Sequence, residues 1–305
     1  MNNSYSILLL LWIFPLLINC QEKKINILSA DVLEYKKEIK DAQILKGNVK
    51  LEHNEAIMTC DSAYLFMKSN SFHAFNNIKI IQNDSLEMMG DTLFYYGNTK
   101  KAKIIGNVEL READLQLKTN QLMYDLSSKQ ASYSSRAFIE STKSQNKLTS
   151  LKGTYHSNIK TLFFKDSVEL EHPKYKMNSD TLVYNTTTEI SFFNGPSTIT
   201  SKSNTIKCNN GWYDTKNDLS SFWNKASIIS ESQIVSGDSI YYDSNLETGK
   251  IFGNILIYDT IDKKIISGNY AYHNAKTDSS VVEQKAMLAQ YDQDDTLHIL
   301  ADKFI

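Results

Sequence analysis

Apolar and polar residues alternate with period two along most of the chain. In one run, Ala102, Ile104, Val108 and Leu110 share one parity, and polar residues lie between them. Polar clusters such as 97–100 separate successive runs, and their residues favour turns. Period two is the spacing of a β-strand, whose side chains point alternately to opposite faces. Because short turns join only antiparallel neighbours, the pattern predicts an all-β chain of antiparallel strands.

Two short motifs recur about every 30 residues. The first is Asp or Asn followed by an apolar and an aromatic residue, as in Gly-Asp-Thr-Leu-Phe-Tyr at Asp91, and the second is Gly-Asn-Val-Glu-Leu at Gly106, half a repeat later. A fixed period of this size is typical of a stacked repeat array rather than of a globular enzyme domain. We therefore predict one continuous domain over 21–305, with about nine and a half repeats. The anchors of the first motif are Asp31, Asp61, Asp91, Asn120, Lys152, Asp180, Asn210, Asp238, Asn269 and Asp302.

The parity of the apolar residues slips by one position at each Asp anchor. Leu86 and Met88 precede Asp91, whereas Leu93 and Tyr95 follow it with the opposite parity. Such a slip would turn the apolar side chains to the wrong face unless a bulge or bend absorbs it. We expect a corner at each anchor, where a long strand passes from one sheet to a second, facing sheet. The predicted fold is an elongated array whose two sheets meet at a crease lined by apolar side chains, with Asp91, Asp180 and Asp238 at equivalent corners.

The N-terminus indicates export from the cytoplasm. Residues 7–18 form an apolar run that is too short to span a bilayer but suits the core of a secretory signal. We take residues 1–20 as a signal peptide. Cys20 is either acylated, as in a lipoprotein, or removed with the leader. Cys60 and Cys208 lie five repeats apart, roughly 48 Å at about 4.8 Å for each strand, which is too far for a disulfide.

The sequence offers little catalytic chemistry. No histidine pair has metal-ligand spacing, and no phosphate-binding loop or nucleophile elbow occurs. The anchor Asp is replaced by Asn or by Lys152 in several repeats, which favours a structural role, so we predict no enzyme activity, no cofactor and no metal. His53, between Glu52 and Glu55, is expected at a solvated strand end. The net charge of −2 shows no basic bias and argues against a nucleic-acid partner.

The two motifs together resemble the OstA-like (organic solvent tolerance) family over nearly all of 26–305, most clearly over 31–125 and 238–258 and least around 130–160 and 270–300. That family includes the periplasmic bridge protein of lipopolysaccharide transport and the N-terminal domain of its outer-membrane translocon. The resemblance implies an open, twisted half-jellyroll whose apolar groove holds acyl chains, and head-to-tail stacking through open sheet edges. It carries no catalytic residues.

The predicted function is therefore a non-enzymatic, lipid-binding component of outer-membrane assembly, in the periplasm or associated with the outer membrane of a Gram-negative bacterium. The implied partners are lipopolysaccharide or a related lipid, and other OstA-like or lipopolysaccharide-transport proteins. Alternation alone leaves open whether the groove is open or the walls close as an ordinary sandwich core. The predicted groove residues are Leu33, Val49, Leu51, Ile78, Ile80, Leu93, Tyr95, Val108, Leu110, Leu122, Leu182, Ile240, Ile255 and Ile257.

Two further expectations concern the surface. A cell-envelope scaffold or a glycan-binding array is the alternative function, and a glycan site would use exposed aromatic residues such as Phe94, Tyr96 and Tyr241. Asp302 begins a copy of the first motif that is not completed, so we expect an open sheet edge at the C-terminal end. Such an edge offers unpaired N–H and C=O groups to a strand of another chain.

Overall fold

The computed structural model describes residues 24–36, 39, 41–83, 85–143, 145–291 and 295–305. In this part of the chain, 22 strands form one hydrogen-bonded sheet in which all pairings are antiparallel, so the predicted all-β class is confirmed. None of the described helical turns is long or apolar enough to cross a membrane. The strands are β1 (Asn26–Ser29), β2 (Val32–Tyr35), β3 (Gln43–His53), β4 (Ala56–Phe66), β5 (Ser71–Gln82), β6 (Leu86–Tyr96), β7 (Lys101–Glu112), β8 (Leu115–Asp125), β9 (Gln130–Tyr133), β10 (Ala137–Ser141), β11 (Lys147–Ser150), β12 (Lys152–His156), β13 (Thr161–His172), β14 (Tyr175–Asn185), β15 (Ile190–Ser201), β16 (Thr205–Asp214), β17 (Leu219–Ile229), β18 (Gln233–Asp243), β19 (Thr248–Asp259), β20 (Lys264–Asn274), β21 (Ser279–Tyr291) and β22 (Thr296–Phe304).

The strands follow one another across the sheet in chain order, with one irregular stretch. From β3 to β8 and from β13 to β22, each strand pairs with the next. Between these runs, β9 and β10 pair with the two ends of β8, and β12 and β11 pair with the corresponding ends of β13. Between β8 and β13, the place of one long strand is therefore taken by the two short strands β9 and β10, and the place of the next by β11 and β12. This stretch coincides with 130–160, where the repeat motifs are weakest in the sequence.

Register shifts mark the corners that the parity slip predicts. They fall at Asp91, Asp180 and Asp238 on one strand of each pair, which confirms that these three positions are equivalent. On the strand opposite Asp91, Gly106 (φ 79°) and Asn107 (φ 44°) adopt the left-handed backbone region in succession. Glycine and asparagine tolerate this region better than other residues. The second motif therefore supplies the backbone freedom that the bend requires.

The corner Asp is a hydrogen-bond acceptor that ties neighbouring strands together. The Asn107 side chain donates to Asp91 Oδ2 at 2.8 Å, and a Cβ added to Gly106 would lie only 2.4 Å from the same oxygen. Where the anchor is Lys152, it pairs instead with Asp166 at 2.7 Å, so the acid and its partner have exchanged strands. A side-chain bond between the two strands of a corner therefore does not require one particular anchor residue. Equivalent bonds join Asn48 to Asp31, Asn77 to Asp61 and Asn254 to Asp238.

The corners fold the single sheet onto itself as two facing walls. Each long strand has a segment before its corner and a segment after it; in β7 these are 101–105 and 108–112. We call the wall that contains 101–105 wall A and the wall that contains 108–112 wall B. Their inner faces pack against each other, and one buried apolar cluster extends from β3 to β18. The predicted facing sheets are thus two halves of one continuous sheet.

Candidate lipid-binding interior

The strand register aligns apolar side chains in rows that run across the strands. The longest such row lies on the inner face of wall B, and we call it the wall B row. Every member is aliphatic or Met, so the row presents no side-chain hydrogen-bonding group over its length. Neighbouring strands lie about 4.8 Å apart, and the row is therefore an unbroken apolar strip. Its members are Leu51, Met58, Ile80, Met88, Leu110, Leu117, Ile139, Leu148, Leu170, Met177, Ile199, Ile206, Ile228, Val235, Ile257, Ile266, Leu288 and Ile299.

Solvent exposure increases along this row towards the C-terminus. Every member from Leu51 to Leu148 is buried, whereas every member from Ile199 to Leu288 is only half-buried, and Ile299 is 42% exposed. Residues next to the crease stay buried throughout, as Ile255 shows. The walls therefore pack together over β3–β14, which we call the closed half. Over β15–β22, the open half, the inner face above the crease is only partly buried, and we call the partly exposed space along it the trough.

Polar contacts hold the two walls together at the rim of the closed half. The Tyr95 hydroxyl on wall A lies 2.5 Å from His53 Nδ1 on wall B, and the Tyr124 hydroxyl donates to Gln82 Oε1 at 2.9 Å. Glu112 at the end of β7 accepts hydrogen bonds from the loop that follows β12. Burial raises the pKa of Tyr124 to about 12, so this phenol stays protonated near neutral pH. These wall-to-wall contacts were not visible in the sequence pattern.

The position of His53 differs from the expectation. Instead of a solvated strand end, its side chain is 2% exposed, and its ring contacts Tyr95 edge-on at a centroid distance of 5.5 Å. The prediction was wrong because it weighed the adjacent Glu52 and Glu55 alone. Neighbours along a strand face opposite sides, so charged flanking residues do not show where the residue between them points.

Among the described residues, the wall-to-wall contacts at the rim end at β16. Tyr175 on wall B meets Tyr213 on wall A with ring centroids 6.0 Å apart. Beyond Tyr213, apart from the corners, the hydrogen bonds and ring contacts found among the described residues stay within one wall. The inward rim positions of wall B are polar there, as at Gln233 and Lys264. The trough thus has an apolar floor and a polar rim.

Most of the predicted groove residues face the interior, but few of them are accessible. Leu93 and Leu122 are 0% exposed, so the closed half is a sandwich core at these positions, and among the described strands the partly exposed stretch of the interior lies in the open half. Ile257 is half-buried in the trough. Leu33 is 50% exposed because it lies on β2, which pairs with β3 alone. The predicted residues that are buried are Val49, Leu51, Ile78, Ile80, Leu93, Tyr95, Val108, Leu110, Leu122, Leu182, Ile240 and Ile255.

The remaining candidates concern cysteine and metal chemistry. Cys60 and Cys208 are buried free thiols, as the predicted separation requires. The leader, including Cys20, lies outside the described residues. Within the described ranges, no group of three or more His, Cys, Asp or Glu side chains is arranged to hold a metal ion.

Comparison with known proteins defines the family. The family model described as OstA-like protein matches residues 22–180, more than half of the chain, and the chain belongs to this family. Among solved structures, it is similar to the crystal structure of LptH, the LptA-homologous periplasmic component of the lipopolysaccharide transport device of Pseudomonas aeruginosa. That match has 14% identity and a TM-score of 0.22, and covers 45% of this chain and 79% of LptH. A search of curated proteins found no match.

Proposed function

We propose that this chain is a non-enzymatic, lipid-binding component of outer-membrane assembly, which carries lipopolysaccharide or a related lipid across the periplasm. The observation that carries the proposal is the trough, whose apolar side chains from Ile199 to Ile299 remain partly exposed along an unbroken row. Contiguous exposed apolar surface is rare in soluble proteins and marks binding sites. Membership of the OstA-like family supports the same function.

The chemistry of the wall B row suits an acyl chain. Each methylene that leaves water for an apolar surface gains about 0.8 kcal/mol, and a lipid offers many methylenes. Because no polar side chain interrupts the row, no fixed hydrogen bond holds the chain at one position. The polar rim at Gln233 and Lys264 leaves the headgroup in contact with solvent. A lipid can therefore bind in the trough and still move along it.

A pair of adjacent aliphatic residues in β19 provides the test. Ile257 faces the trough, whereas Leu256 is 39% exposed on the outer face. A photo-crosslinking residue at 257 is expected to capture lipopolysaccharide in cells, and the same group at 256 is not. Equal capture at both positions would contradict a site on the inner face. Val108 and Glu109 form a second pair; Val108 is 1% exposed, so capture there requires the walls of the closed half to separate.

The proposed protein partners are other OstA-like or lipopolysaccharide-transport chains, joined edge to edge. In the described part of the chain, β22 pairs on one side only, with β21, and Leu300 on it is 77% exposed. Leu300→Pro would remove a backbone donor from this strand and is expected to weaken strand pairing. Self-association or partner binding that is unchanged, with the circular dichroism spectrum preserved, would exclude this edge as the interface.

A glycan-binding surface is the second candidate, and the outer face of wall A favours it. Phe192 is 48% exposed in β15 and lies opposite Trp212, whose ring is 6.4 Å from that of Tyr241. Tyr96 and Phe94, also expected to serve a glycan site, lie at a distance on β6. Trp212→Ala should abolish polysaccharide binding if this function holds and should leave lipid capture at 257 unchanged. If Trp212→Ala retains polysaccharide binding, the result would count against the glycan site.

A further inference from the structure

A cavity of about 70 Å³ lies where the closed half meets the trough. Both walls contribute to it: Leu148 and Leu170 come from wall B, and Leu182, Tyr184 and Ser191 come from wall A. The lining is mainly apolar. Ser191 is the small residue between Tyr184 and Tyr213 in the inward rim row of wall A, and its size leaves room beside the two larger side chains.

The cavity continues the floor of the trough. Leu148 and Leu170 are consecutive members of the wall B row, followed by Met177 and then by Ile199, where the half-buried section begins. A chain that lies along the row therefore reaches the cavity without crossing a polar side chain. At the rim of the same region, Lys143 on wall B pairs with Glu189 on wall A at 3.3 Å. The ion pair joins the two walls at the rim, and the apolar floor continues beneath it.

Beyond the cavity the interior is tightly packed, and the void beside Met58 and Tyr95 measures only about 10 Å³. Past Ile139, which also lines the cavity, the next members of the row towards the N-terminus are Leu117 and Leu110, which are 2% and 1% exposed. Above them, Glu112 accepts hydrogen bonds from Ser157 Oγ at 3.1 Å and Lys160 Nζ at 3.0 Å, which join the walls. A chain that enters from the trough thus meets packed side chains at this point.

We propose that this cavity receives the methyl end of a linear acyl chain whose remainder lies in the trough, so that the interior is a one-ended lipid site that limits chain length. The inference rests on the proposed function. A cavity of about 150 Å³ accommodates benzene, so a volume of 70 Å³ has room for about three carbon atoms. The occupant is the hydrocarbon end rather than the headgroup, because the headgroup would lose its hydration there.

The test uses purified full-length protein and a series of saturated fatty acids of increasing length. Affinity is expected to rise about fourfold for each added methylene, until the chain fills the cavity and the rise stops. Ser191→Phe places a ring in the cavity, so the rise should stop about three carbons earlier, with a loss of roughly 60-fold for the longest acids. Ser221→Phe adds the same ring to the outer face of β17 and should change nothing.

A second variant, which enlarges the cavity and should raise the limiting chain length, keeps the test independent of any one substitution. Leu148→Ala removes three carbons from the lining and should let affinity rise for about three carbons further. Circular dichroism establishes that each variant is folded, and if Ser191→Phe is not, Leu148→Ala decides alone. The same limiting length in all folded proteins, with binding retained, overturns the cavity assignment but not the lipid-binding function. Absence of fatty-acid binding to the unaltered protein overturns both.

Discussion

The closed and open halves share one repeat but differ in what lies at the rim. Both have the corner, the buried crease and the aliphatic wall B row. In the closed half, Tyr95 and Tyr124 reach polar partners on the opposite wall, whereas Tyr242, the corresponding residue of the open half, has no hydrogen-bond partner among the described residues. The alternating pattern thus determines that a sheet folds into two walls. We expect the rim residues to decide whether those walls close over a core or leave a space.

The largest expected effect is that the same Leu→Ala substitution lowers the free energy of unfolding much more in the closed half than in the open half. Leu93→Ala, in the core of the closed half, should lower the free energy of unfolding by about 2–5 kcal/mol, because the packed surroundings leave a cavity. Leu288→Ala removes the same atoms from a half-buried position in the trough and should cost about 1 kcal/mol or less. Hydrogen exchange at amides of β6 and β21 reports the two regions separately. Equal costs would mean that the trough is closed in solution.

The sequence predicted the strands and corners correctly because both depend on local order along the chain. Parity and its slip at Asp91 specify a strand and its bend without reference to distant residues. Closure depends on contacts across many residues: Tyr124 and Gln82 are 42 positions apart, and nothing near Gln82 in the chain points to the pairing. The exposure gradient of the wall B row was equally hidden, since Leu110 and Ile257 occupy equivalent places in the pattern.

The wall-to-wall hydrogen bonds allow a second comparison. Tyr124→Phe removes the donor to Gln82 and leaves a buried amide oxygen unpaired, which should cost about 1–3 kcal/mol. Tyr242→Phe is the matched control in the open half and should have an effect near zero. Urea unfolding of both variants beside the parent measures the difference. A neutral Tyr124→Phe would show that packing alone keeps the walls together.

Two buried tyrosines, Tyr124 and Tyr133, predict a loss of stability in alkali. Burial raises the pKa of both Tyr124 and Tyr133 to about 12 in the folded protein, whereas an unfolded tyrosine titrates near 10. The unfolded state therefore releases these protons first. Their contribution to stability is fully present below about pH 10 and is lost as the pH rises towards 12. Thermal unfolding across this range should show the decline, and Tyr124→Phe should reduce its slope; an unchanged slope would exclude Tyr124 as a cause.

The smallest effect concerns the corners. The corner between β20 and β21 places Gln284 (φ 67°) and Lys285 (φ 66°) in the left-handed region, where the equivalent pair nearer the N-terminus is Gly253 and Asn254. Asparagine adopts this backbone at lower cost than lysine. Lys285→Asn also supplies an amide donor for the Asn269 side chain, at the position from which Asn254 donates to Asp238 in another corner.

Lys285→Asn should therefore stabilise the open half by about 0.5–1 kcal/mol, since an exposed hydrogen bond and relief of one left-handed residue both contribute modestly. The reciprocal change, Asn254→Ala, removes two hydrogen bonds to Asp238, of 3.1 and 3.0 Å, and should destabilise by about 1 kcal/mol. Hydrogen exchange in β19 to β21 measures both. If Lys285→Asn is neutral while Asn254→Ala is costly, the Asp acceptor rather than the backbone preference stabilises the corner. In that case, replacing Asn269 with Asp in the same variant should restore the gain.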